Sequence, residues 1–523
     1  HSVLGGSRKY PVKEPFVELL KGSLNTFLNA MTFPDMTVYP VASQNLQDFY
    51  NLIDVYLDSV FYPRITEMTL RQEGWHYELE KADDPMIFKG IVFNEMKAVY
   101  SSPDQLIGQY TEEALFPDTV YGLSSGGDPA VIPDLTYAQF KKFHETYYHP
   151  SNALIYFYGD DDPEERLRLI DAFITDFQKI NVEKNIPLQP RFDAPRVVTK
   201  GYEAGEDGGD NKGMVTVSWL LTETADVEQA LALQMLSHIL VGTPASPLRK
   251  ALLDSGLGED LAGAGFSPYQ RQIYFSTGLK GIADGDAPKV ESLILNTLSD
   301  LAEQGIDKDT VEASMNTVEF DMRERNTGRF PRGLALMLGL LPTWVHGGDP
   351  MSAAAFEAPL QKLKDQLKNG DGYFEGLIGQ MFLDNSHRST VILIPDDEVK
   401  AQREAAEQAR LDQARAAMSD ADIQKVIENT KALKALQEAP NSPEALATIP
   451  SLTRADLDQK IKTFPLEVIE EAGGDAYFQR TDVSRWRDID RLVARLVERH
   501  RRLDVMVNNA ATCAGRPLAQ TAI

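Results

Sequence analysis

Histidine and carboxylate side chains are the residues from which this chain would have to assemble a metal or acid–base centre, and the histidines are few. They stand at positions 1, 76, 144, 149, 238, 346, 387 and 500. No two of them form HxH, HxxH or HxxxH, so local spacing alone writes no complete first-row metal site. The lone cysteine, Cys513, excludes both an internal disulfide framework and a cysteine-based zinc knuckle, and no base lies near it in sequence to activate it. His144 and His149 are five positions apart near the end of an expected helix and read as capping or packing residues, as does His76 between Trp75 and Tyr77. The glycine-rich stretch Gly122 to Gly127 fits neither GxGxxG nor a P-loop, which argues against a phosphate cradle.

Charge narrows the classes further. The 523 residues carry 78 acidic against 52 basic side chains, a formal −26. Phosphate binding needs a basic surface, so nucleic acid is not the expected partner, whereas basic ligands are. No apolar run approaches the ~18 residues of a membrane-spanning helix, and a membrane is not an expected partner either.

From His1 onward, HSVLGGSRKYPVKEPFVELLKGSLNTFLNAMTFPDMTVYPVASQNLQDFYNLIDVYLDSVFYP resembles the region just after the zinc motif in the presequence-protease branch of the pitrilysin/insulysin metallopeptidases. In that family a helix carries HxxEH, whose two histidines bind zinc and whose glutamate is the general base. Residues four apart stack on one helical face, so both imidazoles reach one ion. The resemblance implies that His1 is the second histidine of the motif, that the first histidine and the glutamate lie upstream, and that the catalytic base is therefore outside this sequence. It further implies that Glu95, in GIVFNEMKAVYSSPD, is the third zinc ligand, with Asn94, Met96 and Lys97 around it.

Further strings match in order: SLNTFLNAMTFPDMTVYP, YGLSSGGDP and FHETYYHPSNALIYFYGD. The first implies an edge strand at the cleft, to which an extended peptide adds, with Asn29, Ala30 and Thr32 in substrate contact. Over residues 1 to about 466 the resemblance implies zinc as cofactor and unstructured, basic peptides as substrates, in a bacterial cytoplasm or the mitochondrial matrix. It also implies a missing second half and, with the zinc motif incomplete, no peptidase activity of this chain by itself. The first residue is not Met, so a natural start is expected further upstream and targeting is not legible.

From Val468 onward every basic residue is arginine, and EAGGDAYFQRTDVSRWRDIDRLVARLVERHRRLDVMVNNAATCAGRP resembles the middle of a short-chain dehydrogenase. Asp482 and Val483 match its adenine-side pair, and Asn508, Asn509 and Ala510 its NNAG string, with Ala511 in place of Gly. The pyrophosphate turn and the YxxxK of the hydride chemistry are missing, so NAD(P) is not an expected cofactor. A non-catalytic scaffold of the peptidase fold and an oxidoreductase resting on the tail remain the alternatives.

The elements that must hold these residues read as α+β. Two homologous pitrilysin-type α/β sandwich domains with mostly antiparallel sheets are expected at 1–185 and 195–395, the first truncated. A helical hairpin follows at 396–450, then the opening of a third domain at 451–466 and a β-α-β piece at 467–523 resembling part of a Rossmann fold. In the first domain the pattern predicts a helical stretch at Phe16 to Ala30, strands at Thr37 to Ser43, 74–80 and Leu154 to Gly159, and a long helix whose buried face carries Phe49, Leu52, Ile53, Tyr56, Leu57 and Val60. In the second, strands at MVTVSWLL, QIYFSTGL and STVILIP surround the helix VEQALALQMLSHILV. The hairpin is rich in Ala, Glu, Lys and Arg, and Ser419 to Asp422 caps its second helix.

Overall fold

The computed structural model describes residues 1–203, 212–369, 372–457, 491 and 493–495. The chain divides into two units, His1–Leu457 and Asp458–Ile523. Asp482, Val483, Asn508, Asn509 and Ala510 lie outside the described residues; of the arginine-rich stretch, Arg491 and 493–495 are helical.

Strands β1 (Asn25–Leu28), β2 (Met31–Thr32), β3 (Thr37–Val38), β4 (Val41–Ser43), β5 (His76–Glu78) and β6 (Ile87–Lys89) form three two-stranded antiparallel ladders, β1 with β4, β2 with β3 and β5 with β6. The helix expected at Phe16 to Ala30 is shorter: α1 (Pro15–Gly22) stops, and β1 begins. The cause is Asp48, a buried carboxylate that accepts from Ser23 Oγ at 2.9 Å and from the Leu24 amide at 3.1 Å, pulling the chain out of the helix. The strand expected at Thr37 to Ser43 is split into β3 and β4 at Tyr39–Pro40, where proline offers no amide to a ladder. Leu154 to Gly159 is not a strand: it pairs with no neighbour among the described residues, and an apolar alternation becomes a strand only beside a partner.

Helix α2 (Leu46–Phe61) buries Leu52, Ile53, Val55, Tyr56 and Phe61, and between them Asp58 and Ser59, while Phe49, Leu57 and Val60 are only partly covered. It is followed by α3 (Ile91–Val99), α4 (Pro103–Leu115), α5 (Tyr137–Tyr147) and α6 (Pro163–Ile174).

The second half is built on one five-stranded sheet: β7 (Arg196–Tyr202), β8 (Gly213–Glu223), β9 (Asp260–Ser267), β10 (Gln272–Ile282) and β11 (Arg388–Pro395), in the order β7-β11-β8-β10-β9. Every pairing is antiparallel except β7 with β11. The first nine residues of β8 are all buried, because both faces of the sheet are covered. On one face lie α7 (Val227–Ser237), α8 (Pro247–Asp254), α9 (Ala287–Gln304) and α10 (Lys308–Glu324), packed with Trp219, Phe275 and Phe382 in the largest apolar cluster. On the other lies α4, whose Leu106 and Ile107 meet Met214, Val391 and Leu393, and whose Leu115 meets Leu220 and Tyr274.

Helix α11 (Arg332–Val345) precedes β11, and the hairpin α12 (Glu398–Ala417) and α13 (Asp420–Glu438) follows it. The Ser419 hydroxyl accepts from the Asp422 amide, and the Asp422 carboxylate accepts from the Ser419 amide, a reciprocal capping box. The hairpin is docked: Leu411 and Ile427 share a core with Leu79, Met86, Phe88 and Phe93, and the Leu79 amide donates to Thr430 Oγ1.

One buried histidine joins the halves. His387 stacks on Phe192 with ring centroids 3.6 Å apart, its Nδ1 accepts from the Phe192 amide, and its Nε2 lies 2.8 Å from the Leu115 carbonyl. Both nitrogens are thus committed in the neutral ring, and burial pushes its pKa down to about 4. The unfolded chain takes up the proton near 6.5 and the native state only near 4, so this contribution is complete above pH 6.5 and is lost as pH falls toward 4. The loss amounts to up to about 3 kcal/mol. Urea unfolding across that range should show the decline, and the His387 ring should remain neutral by NMR at about pH 5; a ring titrating near 6.5 would contradict this account.

Candidate metal centre and peptide edge

His1 precedes a single helical turn, Ser2–Leu4, and then Gly5 and Gly6. Gly6 has φ +112, and a Cβ there would stand 2.6 Å from the Val12 carbonyl oxygen, so only glycine lets the chain fold back at this point. The returning segment is clamped on α2. The Lys9 amide donates to Asp58 at 2.7 Å, Lys9 Nζ pairs with Asp54 at 2.8 Å, the Tyr10 hydroxyl also donates to Asp54, and the Arg8 guanidinium lies 3.4 Å over the Tyr62 ring.

The imidazole of His1 is held between two carboxylates. Its Nε2 is 3.3 Å from Glu95 on α3, and its Nδ1 is 3.5 Å from Glu73. Sequence reasoning anticipated the first of these partners and missed the second. Glu73 lies in a π-helical turn, Leu70–Gly74, closed by the Trp75 amide on the Leu70 carbonyl at 3.0 Å. Such turns are rare and concentrate at functional sites, but QEGW carries no sequence signal that announces one.

Glu73 is the more sheltered carboxylate, with its side chain 13% exposed against 57% for Glu95. Its Oε1 accepts from Gln72 Nε2 at 2.8 Å, leaving Oε2 toward the histidine. The hydrogen bond to Glu73 raises the His1 pKa; burial opposes it, and the Glu95 charge adds to the rise.

The turn and α3 touch through backbone. A Cβ on Gly90 would stand 2.1 Å from the Gly74 carbonyl oxygen, so the residue opening α3 must be glycine for the two elements to meet. Met96 is buried beneath α3, and Lys97 pairs with Glu407 of α12 at 2.9 Å, which directs it to the hairpin and away from His1. Nitrogen and carboxylate oxygen are suitable zinc donors, and the Nε2 and Glu95 pair fits an ion as two of the three protein donors a catalytic site needs. Among the described residues no group of three His, Cys, Asp or Glu gathers to hold a metal ion.

Asn29, Ala30 and Thr32 lie along the passage from β1 into β2, with Asn29 and Thr32 exposed. The Asn29 amide donates to the Pro40 carbonyl, and its Oδ1 accepts from the Ala30 amide at 2.8 Å. The other histidines are structural. His76 Nδ1 meets the Arg71 carbonyl, His144 Nε2 meets the Val60 carbonyl, and His149 Nδ1 accepts from the Ser151 amide.

Known proteins share this sequence and fold. The family described as "Peptidase M16 inactive domain" matches residues 134–318, the associated domain of the C subfamily of M16 peptidases matches 393–483, and "short chain dehydrogenase" matches 455–522. "Presequence protease 1, chloroplastic/mitochondrial" of Arabidopsis thaliana is 50% identical over 477 residues, 90% of this chain and 44% of that protein. The chain belongs to the pitrilysin-type M16 peptidases, in their presequence-protease branch. "Protein HypA" of Clostridium perfringens is 40% identical over 90% of this chain and 49% of its own length. Among solved structures a protease from Helicobacter pylori aligns with TM-score 0.58 at 17% identity, covering 76% of this chain and 88% of its own, which supports the fold. The chain spans about half the length of the curated relatives it matches. M16 peptidases are in general zinc-dependent.

Two expectations test this geometry. Replacing Glu73 by Gln removes the largest cause of the raised His1 pKa, so the His1 ring should titrate at lower pH by NMR; an unchanged titration would mean that Glu73 does not hold the ring. Gly90→Ala should push the turn off α3 at a cost of about 1–3 kcal/mol, read by urea unfolding, with Trp75 fluorescence reporting the displacement.

Proposed function

We propose that this chain is the part of a zinc metalloendopeptidase that carries the second histidine and the glutamate ligand, acting on unstructured basic peptides. The carrying observation is the His1 imidazole with Glu95 against Nε2 and Glu73 against Nδ1. In this reading His1 Nε2 and Glu95 would hold the zinc, and a third donor and the general base come from the HxxE that the resemblance puts immediately before His1. Bound zinc supplies a nucleophile from water at neutral pH and polarises the scissile carbonyl. Glu73 fixes the ring orientation by accepting from Nδ1, the usual carboxylate partner of a metal-bound histidine.

The peptide edge is Asn29, Ala30 and Thr32, where an extended substrate adds as a strand. The −26 charge favours basic peptides, the class to which targeting presequences belong. The regions 1–185 and 195–395 are then two domains of the peptidase, the second non-catalytic. The residues around 482 and 508 carry no cofactor role in this reading, and neither the scaffold nor the oxidoreductase alternative is favoured. A bacterial cytoplasm or mitochondrial matrix suits such substrates.

A quenched fluorescent basic peptide tests the proposal. This chain alone should give no turnover, and the same chain extended by an intact HxxE before His1 should give turnover that a chelator abolishes. In the extended protein Glu95→Ala should abolish activity, and Glu73→Gln should lower zinc affinity by about 10- to 100-fold. Chelator-sensitive cleavage by the present chain, or full activity of the extended Glu95→Ala variant, would sink the assignment.

A further inference from the structure

The β2–β3 hairpin pairs only Met31 with Val38 and Thr32 with Thr37. A ladder of two pairs is not stable in isolation and has to be held from outside. Its turn carries Asp35, whose side chain is 2% exposed. Asp35 Oδ2 receives two donors, the Tyr121 hydroxyl at 2.9 Å and His346 Nε2 at 3.0 Å, and the Tyr121 oxygen itself accepts from the Arg271 amide at 2.9 Å. With the Tyr121 proton given to Asp35, His346 must carry its proton on Nε2 to satisfy the same oxygen. Four distant segments thus meet at one carboxylate: the hairpin turn, the loop after α4, the β9–β10 connection and the C-terminal end of α11.

The other oxygen, Asp35 Oδ1, is buried with no hydrogen-bond partner. A buried carboxylate left half-satisfied is costly, and nothing in the apolar packing of Tyr121 against Phe116, Leu220 and Tyr274 calls for one. Its two bonds do one thing that apolar packing does not, which is to fix the direction and height of the hairpin against the sheet half. A second tether lies beside it, where Phe27 of β1 meets Phe330, just before α11, edge-on at 5.2 Å.

We propose that His346, with Tyr121, latches Asp35 and thereby positions the Asn29–Thr32 edge for peptide addition, so that the sheet half sets the alignment of substrate on the half that carries His1. This rests on the reading of that edge as the peptide-binding one. His346 is a positioning residue, acting through Asp35 and the hairpin.

The test uses the whole chain and two independent readouts. Hydrogen exchange of His346→Ala should be faster by about tenfold at the Phe33 amide and through residues 31–38, with the β8 and β10 amides unchanged. His346→Gln, which restores an N–H donor, should recover the protection. Anisotropy of a fluorescein-labelled, Arg/Lys-rich unstructured peptide should show weaker binding in His346→Ala and recovery in His346→Gln. Unchanged exchange at residues 31–38, or equal acceleration throughout the sheet, overturns the latch. A loosened hairpin with unchanged peptide affinity overturns the positioning role by showing that peptides bind elsewhere.

Discussion

The contact on which the candidate centre depends is the backbone approach of Gly90 to Gly74. No side chain intervenes: a methyl group at position 90 would sit on the Gly74 carbonyl. That approach fixes the π-helical turn bearing Glu73 against the first turn of the helix bearing Glu95, so the two carboxylates flank one imidazole without touching each other's helix through flexible side chains. Rigid elements place such groups more accurately than loops do. The opposite side of α3 is braced as well, since Phe93 enters the cluster formed with Leu411 and Ile427 of the helical hairpin. The hairpin, which reads in sequence as a connector, is thus part of the support for Glu95.

A comparable dependence joins the two halves. The sheet strands are apolar on both faces, and one of those faces is covered by α4 from the half that carries His1. Polar contacts then fix the register of that packing: Thr111 and Thr216 share a hydrogen bond of 2.8 Å between their hydroxyls, His387 reaches the Leu115 carbonyl, and Glu112 accepts from Gln270 and Tyr274. Burial raises the Glu112 pKa, so this carboxyl titrates in the opposite sense to His387. Apolar area supplies the affinity between the halves, and the few buried polar groups select one alignment among the many that apolar surfaces allow.

Periodicity made the long helices, the sheet strands and the capped hairpin legible, because each repeats its signal over many residues. It failed where a single side chain overrode the pattern. Asp48 ends α1 by drawing Ser23 and Leu24 to itself, and Asp58 occupies a position on α2 that an apolar count assigns to water. Leu154 to Gly159 has the alternation of a strand but no paired neighbour among the described residues. At the centre, His1 and Glu95 were legible through the strings they sit in, and the structure brings them to 3.3 Å. Glu73 was not, because its partner lies far away in the chain and the turn that presents it depends on an inserted residue that leaves no compositional trace.

The acidic surplus also changes meaning once its members are located. Asp35, Asp48 and Asp58 have buried side chains that accept internal donors, so they serve the fold and present no charge to a passing peptide. Glu407, Glu80 and Glu78 are paired with Lys97, Lys434 and Lys89. Between exposed charges the field fades over about 8–10 Å at ordinary salt, so a net −26 spread over a long chain does little to a substrate already bound. Selection of basic residues beside the scissile bond therefore has to come from carboxylates within that range of His1. Glu95, spent on a metal, would be largely neutralised there, and Glu73, spent on the imidazole, is sheltered. Steering by the whole acidic body and discrimination at the site are then separate effects, the first falling steeply with added salt and the second hardly at all.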